Sequence, residues 1–220
     1  MTQNSLERDI SPIWLQHIRW IGGGSGAGKS TVSRQLAEKH GLRLYKCDEM
    51  QSSHTARSNP VDHPLLHTFL AMTMDERWAQ RTPEEMFRTF HGFQGEGFEL
   101  LLEDLLDMPT DQFILAEGFK LLPRLVAPLL SQPNQAVWLI PTPQFRRAAL
   151  ESRGSLWSIA GRTSDPERAL SNLLVRDAIY TKEVFKEAAA LHLKTLEIDR
   201  SFSVDELVAC VEECLGLKSQ

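Results

Sequence analysis

Gly23-Gly24-Ser25-Gly26-Ala27-Gly28-Lys29-Ser30 fits the pattern G-x-x-x-x-G-K-[ST]. A chain that wraps a phosphate must turn tightly with its N–H groups pointing inward. Residues without a Cβ permit both the positive-φ positions and the close approach this needs. Lys29 is then placed to reach the outer phosphate oxygens of a nucleotide, and the Ser30 hydroxyl to hold Mg²⁺. The helix that starts here adds its dipole and its free N–H groups. Gly23, Gly24, Ser25, Gly26, Ala27, Gly28, Lys29, Ser30 and Thr31 form the expected phosphate-binding set. The setting agrees: His17 to Ile21 reads as a short buried strand, and Ser30 to His40 as a helix with Val32, Leu36 and Ala37 on one face and Gly41 ending it.

On these residues the chain resembles the P-loop kinase superfamily, which implies binding of ATP with Mg²⁺. The N-K-x-D motif with which GTPases of that superfamily read guanine does not occur. A second constellation, Arg146, Arg147, Arg153, Arg162, Arg168 and Arg176, lies in the C-terminal third. Guanidinium groups stabilise the charge that phosphoryl transfer spreads over the equatorial oxygens. Arg153-Gly154, a short loop, Gly161-Arg162-Thr163-Ser164-Asp165 and a long helix containing Arg176 resemble the lid of adenylate-kinase-like enzymes. That resemblance implies that Arg153 and Arg162 are catalytic, phosphate-binding arginines, and that Asp165 is the second of an acidic pair whose first member is here Ser164. Arg176 stands three residues later than the family's helix arginine, nearly one turn, so it keeps the same face as a phosphate-binding candidate. Trp157, within the lid, either covers the adenine or packs the closed lid. For Arg168 a solvated helix face is the expected reading.

Asp48 follows the second predicted strand and Glu117 the third, on the carboxyl edge of the sheet where the phosphate loop must also lie. An alcohol that accepts a phosphoryl group must lose a proton, and a carboxylate there can take it. Lys46-Cys47-Asp48-Glu49-Met50 lacks the Ser/Thr-Gly-Asp wording of nucleoside-monophosphate kinases. It looks more like shikimate kinase, the uridine and nicotinamide riboside kinases and chloramphenicol phosphotransferase, where an Asp in this place serves the acceptor hydroxyl. Ala116-Glu117-Gly118-Phe119 is similar to the strand end of riboside kinases. Asp48 is therefore expected to act as general base or to orient the acceptor, and Glu117 to organise Mg²⁺ or the acceptor. Arg57, Arg88 and Glu96 are further acceptor-binding candidates, and Phe90-His91-Gly92-Phe93-Gln94-Gly95 is expected to line the acceptor pocket. Asp62, His63 and His67 read as polar loop contacts rather than a metal site.

The elements that must position these residues alternate between strand and helix: strands at Leu42 to Cys47, Phe113 to Ala116, Ala136 to Ile140 and Leu193 to Ile198, and helices at Glu84 to Phe90, Gly97 to Leu106, Pro123 to Leu130 and from Pro166 to Leu191. Ser203 and Glu206 stand in capping-box spacing at the start of a last helix. The pattern predicts an α/β protein with the three-layer P-loop kinase fold, a mostly parallel five-stranded sheet with helices on both faces. The whole chain, 1–220, is expected to be one such domain, with a tail over 1–16, a helical acceptor-binding insertion over about 48–110 and a lid over about 153–165.

The 220 residues carry a net charge of −5, so nucleic acid and anionic lipid are not expected partners. Three cysteines, a polar N-terminus and no long apolar run point to a soluble cytoplasmic protein without disulfides. The expected partners are ATP and a small-molecule acceptor such as a nucleoside, metabolite or antibiotic; the oligomeric state stays open. A nucleoside-monophosphate kinase is the nearest alternative, and an ATP-binding regulatory switch is the alternative of another class.

Overall fold

Strand β1 (Ile18–Gly23) sends successive side chains to opposite sides of a sheet that is buried on both. Ile18 and Trp20 join one hydrophobic cluster, and Ile21 joins the other. The same alternation divides Ile114 and Ala116 from Leu115, and Ala136, Trp138 and Ile140 from Val137 and Leu139. Strands with two covered faces carry the near-continuous apolar runs seen in the sequence.

The computed structural model describes residues 11–153 and 155–217, and the side chains within these outside 150–157. After β1 come α1 (Lys29–His40), β2 (Arg43–Lys46), α2 (Gln51–Arg57), α3 (Pro64–Ala71), α4 (Met74–Trp78), α5 (Pro83–Thr89), α6 (His91–Gln94) and α7 (Phe98–Asp107). There follow β3 (Ile114–Glu117), α8 (Pro123–Val126), β4 (Ala136–Pro141), α9 (Pro143–Arg153), α10 (Ser155–Ala160), α11 (Pro166–Ala190), β5 (Thr195–Ile198) and α12 (Val204–Cys214). The sheet is parallel at every pairing, in the order β2-β3-β1-β4-β5. Helices α1 and α12 supply Val32, Leu36, Leu207, Val208 and Val211 to one face. Helices α7 and α11, with Phe93 of α6, cover the other through Leu101, Leu105, Tyr180 and Val184. A third cluster, Trp78, Met86, Ala160, Ala169 and Leu173, joins the helices after β2 to α10 and α11.

Local signals set the helix ends. Gly41 closes α1 at φ 61° and donates its N–H to Ala37 O. Ser203 and Glu206 form the reciprocal box at the start of α12. Asp165 caps α11 by accepting the Arg168 N–H, which gives this carboxylate a helix-capping role. The helix expected over Pro123 to Leu130 is shorter: Pro128 lacks the N–H that would continue it, and a 3₁₀ turn at Ala127–Leu129 takes over. Among the described residues no helix is long and apolar enough to cross a membrane.

Candidate active site

The phosphate loop leaves β1 at Gly23, where φ is 117°. A Cβ there would lie 2.1 Å from Leu139 O, so the close β1–β4 contact depends on glycine. The next N–H, of Gly24, donates to that same Leu139 O at 2.9 Å. Gly28, at φ 82°, turns the chain into α1 and places Lys29 at its first position. The buried Lys29 Nζ donates to Gly23 O at 3.1 Å and Gly24 O at 2.8 Å. The ammonium thus sits inside the loop, against two of its own carbonyls. Thr31, half-buried on the first turn, gives its N–H to Gly28 O.

Parallel register brings the carboxylates to this loop. Glu117 is the last residue of β3 and pairs with Ile21, while its backbone carbonyl accepts the Cys47 N–H. Asp48, the next residue after Cys47, therefore opens onto the same cleft. One cleft, of about 280 Å³, is lined by Ser25 to Ser30, Asp48, Glu117, Phe90, Phe93, Phe119, Ile159, Arg176, Asp177 and Tyr180. Its size suits a small ligand.

Glu117 is buried, and its Oε2 has no hydrogen-bond partner among the described residues. Burial pushes its carboxyl above the usual range, against the pull of the Lys29 charge and a hydrogen bond from Ser30. A cation between Ser30 and Glu117 would satisfy that oxygen. Mg²⁺ takes one or two protein oxygens beside phosphate and water, so this donor set fits it. Burial also raises the Asp48 carboxyl, opposed by Lys29 and Lys120, with Glu49 adding to the rise.

The far wall is aromatic. Phe93 stacks on Tyr180 with centroids 4.1 Å apart and meets Phe90 edge-on at 4.8 Å. The Tyr180 hydroxyl donates to Phe119 O and fixes that ring's loop. Arg176 is 7% exposed and lies 5.1 Å from the centroids of Trp78, Phe90 and Phe93. Its Nε and Nη2 donate to Asp177 Oδ1, and its Nη1 has no hydrogen-bond partner among the described residues.

The expected residues fall into two groups. The loop residues from Ser25 to Ser30, together with Asp48, Glu117 and Arg176, share the cleft, as do Phe90 and Phe93 from the segment expected to line it. Among the described residues, Arg57, Arg88 and Glu96 are not in the lining of this cleft. Arg57 Nη2 pairs with Asp104 Oδ1 at 2.5 Å and tethers α2 to α7. Glu96 accepts the N–H groups of Leu65 and Leu66 at the start of α3. Arg88 points to solvent. Arg162 is exposed on the turn after α10, with its N–H bonded to Ile159 O. The side chains of Arg153 and Trp157 lie outside the described residues. His63 meets Glu99 at 2.5 Å and His67 meets Ser58 at 3.1 Å.

Sequence reasoning missed Asp177, which holds Arg176, and Lys120, buried beside the cleft. Lys120 stands three residues after Glu117, so proximity to a chosen carboxylate was the available signal.

No protein-family profile and no curated protein sequence matches the chain. Its fold is similar to that of deoxyadenosine kinase from M. mycoides with bound dATP: TM-score 0.50 and 12% identity over 90% of this chain and 98% of that one. Shikimate kinase from Acinetobacter baumannii in complex with shikimate gives 0.41 and 19% over 92% and 95%. NadR protein in complex with NR gives 0.38 and 12% over 94% and 53%. The strand order, the loop between β1 and α1 and the helices on both faces make this the three-layer P-loop kinase fold.

Proposed function

We propose that the chain is a cytoplasmic, Mg²⁺-dependent phosphotransferase that moves the γ-phosphoryl group of ATP to a hydroxyl of a small molecule. The observation that carries this reading is that the Asp48 carboxylate lines one cleft together with Lys29 and Ser30. A loop built for nucleotide phosphate and a carboxylate able to take a proton face the same small volume.

In this reading the loop amides and Lys29 bind the phosphates, and Ser30 with Glu117 holds Mg²⁺, which neutralises charge on them. Lys29 gives up the Gly23 and Gly24 carbonyls for phosphate oxygens. Asp48 accepts the proton of the acceptor hydroxyl as its oxygen bonds to phosphorus and the bond to the ADP oxygen breaks. Arg176, held by Asp177, supplies positive charge from the wall. The segment 153–165, with Arg153 and Arg162, acts as the lid, and the helices of 48–110 form the acceptor side of one domain.

ADP release, measured across nucleosides, sugars, hydroxy acids and phenicol- or aminoglycoside-type antibiotics, tests the reading. Acceptor-dependent release that disappears in Lys29→Ala is expected. Asp48→Asn should lower kcat about 10²-fold or more with the KM for ATP unchanged. Full turnover by Asp48→Asn overturns the base assignment, and no stimulation by any acceptor overturns the phosphotransferase reading.

A further inference from the structure

Lys120 directly follows the cleft-lining Phe119 and is 3% exposed. Its ammonium has no hydrogen-bond or ion-pair partner among the described residues. The contrast with Lys29 is direct, since that buried ammonium donates to two carbonyl oxygens. Burial of the side chain disfavours the charge more than Cys47, Asp48 and Glu99 favour it, and holds Lys120 below the ordinary lysine value. A fold retains this expense where a ligand will supply the missing acceptor.

The surrounding groups narrow what that ligand is. Gly92 of α6 stands between Phe90 and Phe93, and a Cβ there would lie 2.7 Å from Phe119 Cε2 and 3.5 Å from Lys120 Cε. The lysine stem therefore packs against the aromatic wall. Of the acidic groups whose charge acts on Lys120, Asp48 and Glu99, the second is already paired with His63. His91, beside it, is held down to about 4 by burial, by Lys120 and by His63, and carries no charge at neutral pH. What remains at the acceptor end is Asp48 and Lys120. Once Asp48 takes the hydroxyl proton and becomes neutral, Lys120 loses that counterpart, and an anionic group on the acceptor takes its place.

We propose that Lys120 is a specificity residue whose ammonium receives an anionic group, carboxylate or phosphate, carried by the acceptor in addition to the hydroxyl that is phosphorylated. This rests on the phosphotransferase reading above.

Two measurements on Lys120→Met and Lys120→Arg test it. Methionine keeps the stem and removes the unpaired charge, so the ligand-free Lys120→Met protein should melt roughly 2–4 °C higher than the parent. A lower Tm would give Lys120 a structural ion-pairing role and overturn the proposal. ADP release is then compared for hydroxy carboxylates against their amides and for phosphorylated alcohols against the free alcohols. The anionic members should be preferred, and Lys120→Met should raise their KM about tenfold or more with the KM for ATP unchanged, while Lys120→Arg retains part of the affinity. The two pairs tell carboxylate from phosphate. Turnover of neutral acceptors alone, unaffected by Lys120→Met, overturns the anionic class and leaves the phosphotransferase reading intact. ADP release stimulated by no acceptor overturns both.

Discussion

Arg176 and Asp177 are neighbours on α11, and both Nη2 and Nε of the arginine reach one carboxylate oxygen, at 2.6 and 2.9 Å. With three rings around the guanidinium, its plane is fixed and Nη1 is the nitrogen left for a ligand. Asp177→Ala strands a buried cation and should cost about 3–5 kcal/mol, read from urea unfolding. Arg176→Lys keeps the charge but loses the fork and the stacking, so kcat should fall about 10²-fold. A parental urea midpoint for Asp177→Ala would show that the pair does not hold the wall.

Gly23→Ala tests the loop where it is most crowded. The new methyl would meet Leu139 O, and the backbone would keep a φ of 117°. The conformational strain alone is about 1–2 kcal/mol, and the clash adds to it. The variant should melt below the parent and show no further rise in Tm with MgATP. A normal ATP-dependent shift would mean the β1–β4 contact does not shape the loop.

The sheet was legible because each central strand is buried on both faces and so reads as an apolar run, and because G-x-x-x-x-G-K-S fixes one strand–loop–helix junction. Asp48 and Glu117 were legible for a related reason: parallel register sends the ends of β2 and β3 to the same edge. The acceptor side was not. Arg57 and Glu96 have the right chemistry for a ligand, yet their partners, Asp104 and the start of α3, are set by how short helices pack. No periodicity encodes that packing. Lys120 escaped for the same reason, since nothing local says that a lysine after Phe119 is buried.

Glu96→Gln separates a helix-capping role from a ligand role. The Glu96 carboxylate accepts from Leu66 N at 2.7 Å and Leu65 N at 2.9 Å, at the positive end of α3. Loss of the charge should lower stability by about 1 kcal/mol in denaturant titrations. The acceptor KM should stay at the parental value; a tenfold rise would return Glu96 to the acceptor site.

His91 makes folding stability fall on the acid side. Its imidazole is 4% exposed between Phe69 and Phe90, and burial, Lys120 and His63 hold its pKa down to about 4 from 6.5. The folded state refuses a proton that the unfolded chain takes below pH 6.5, so the contribution is whole above that pH. It is lost progressively as the pH falls from 6.5 toward 4 and amounts to a change on the order of 3 kcal/mol. His54, also lowered by burial, adds in the same direction. Unfolding free energies between pH 7.5 and 5 should therefore decline with falling pH, and His91→Gln should flatten the decline whatever its effect at pH 7.5. An unchanged slope in His91→Gln would show that this imidazole is protonated in the fold.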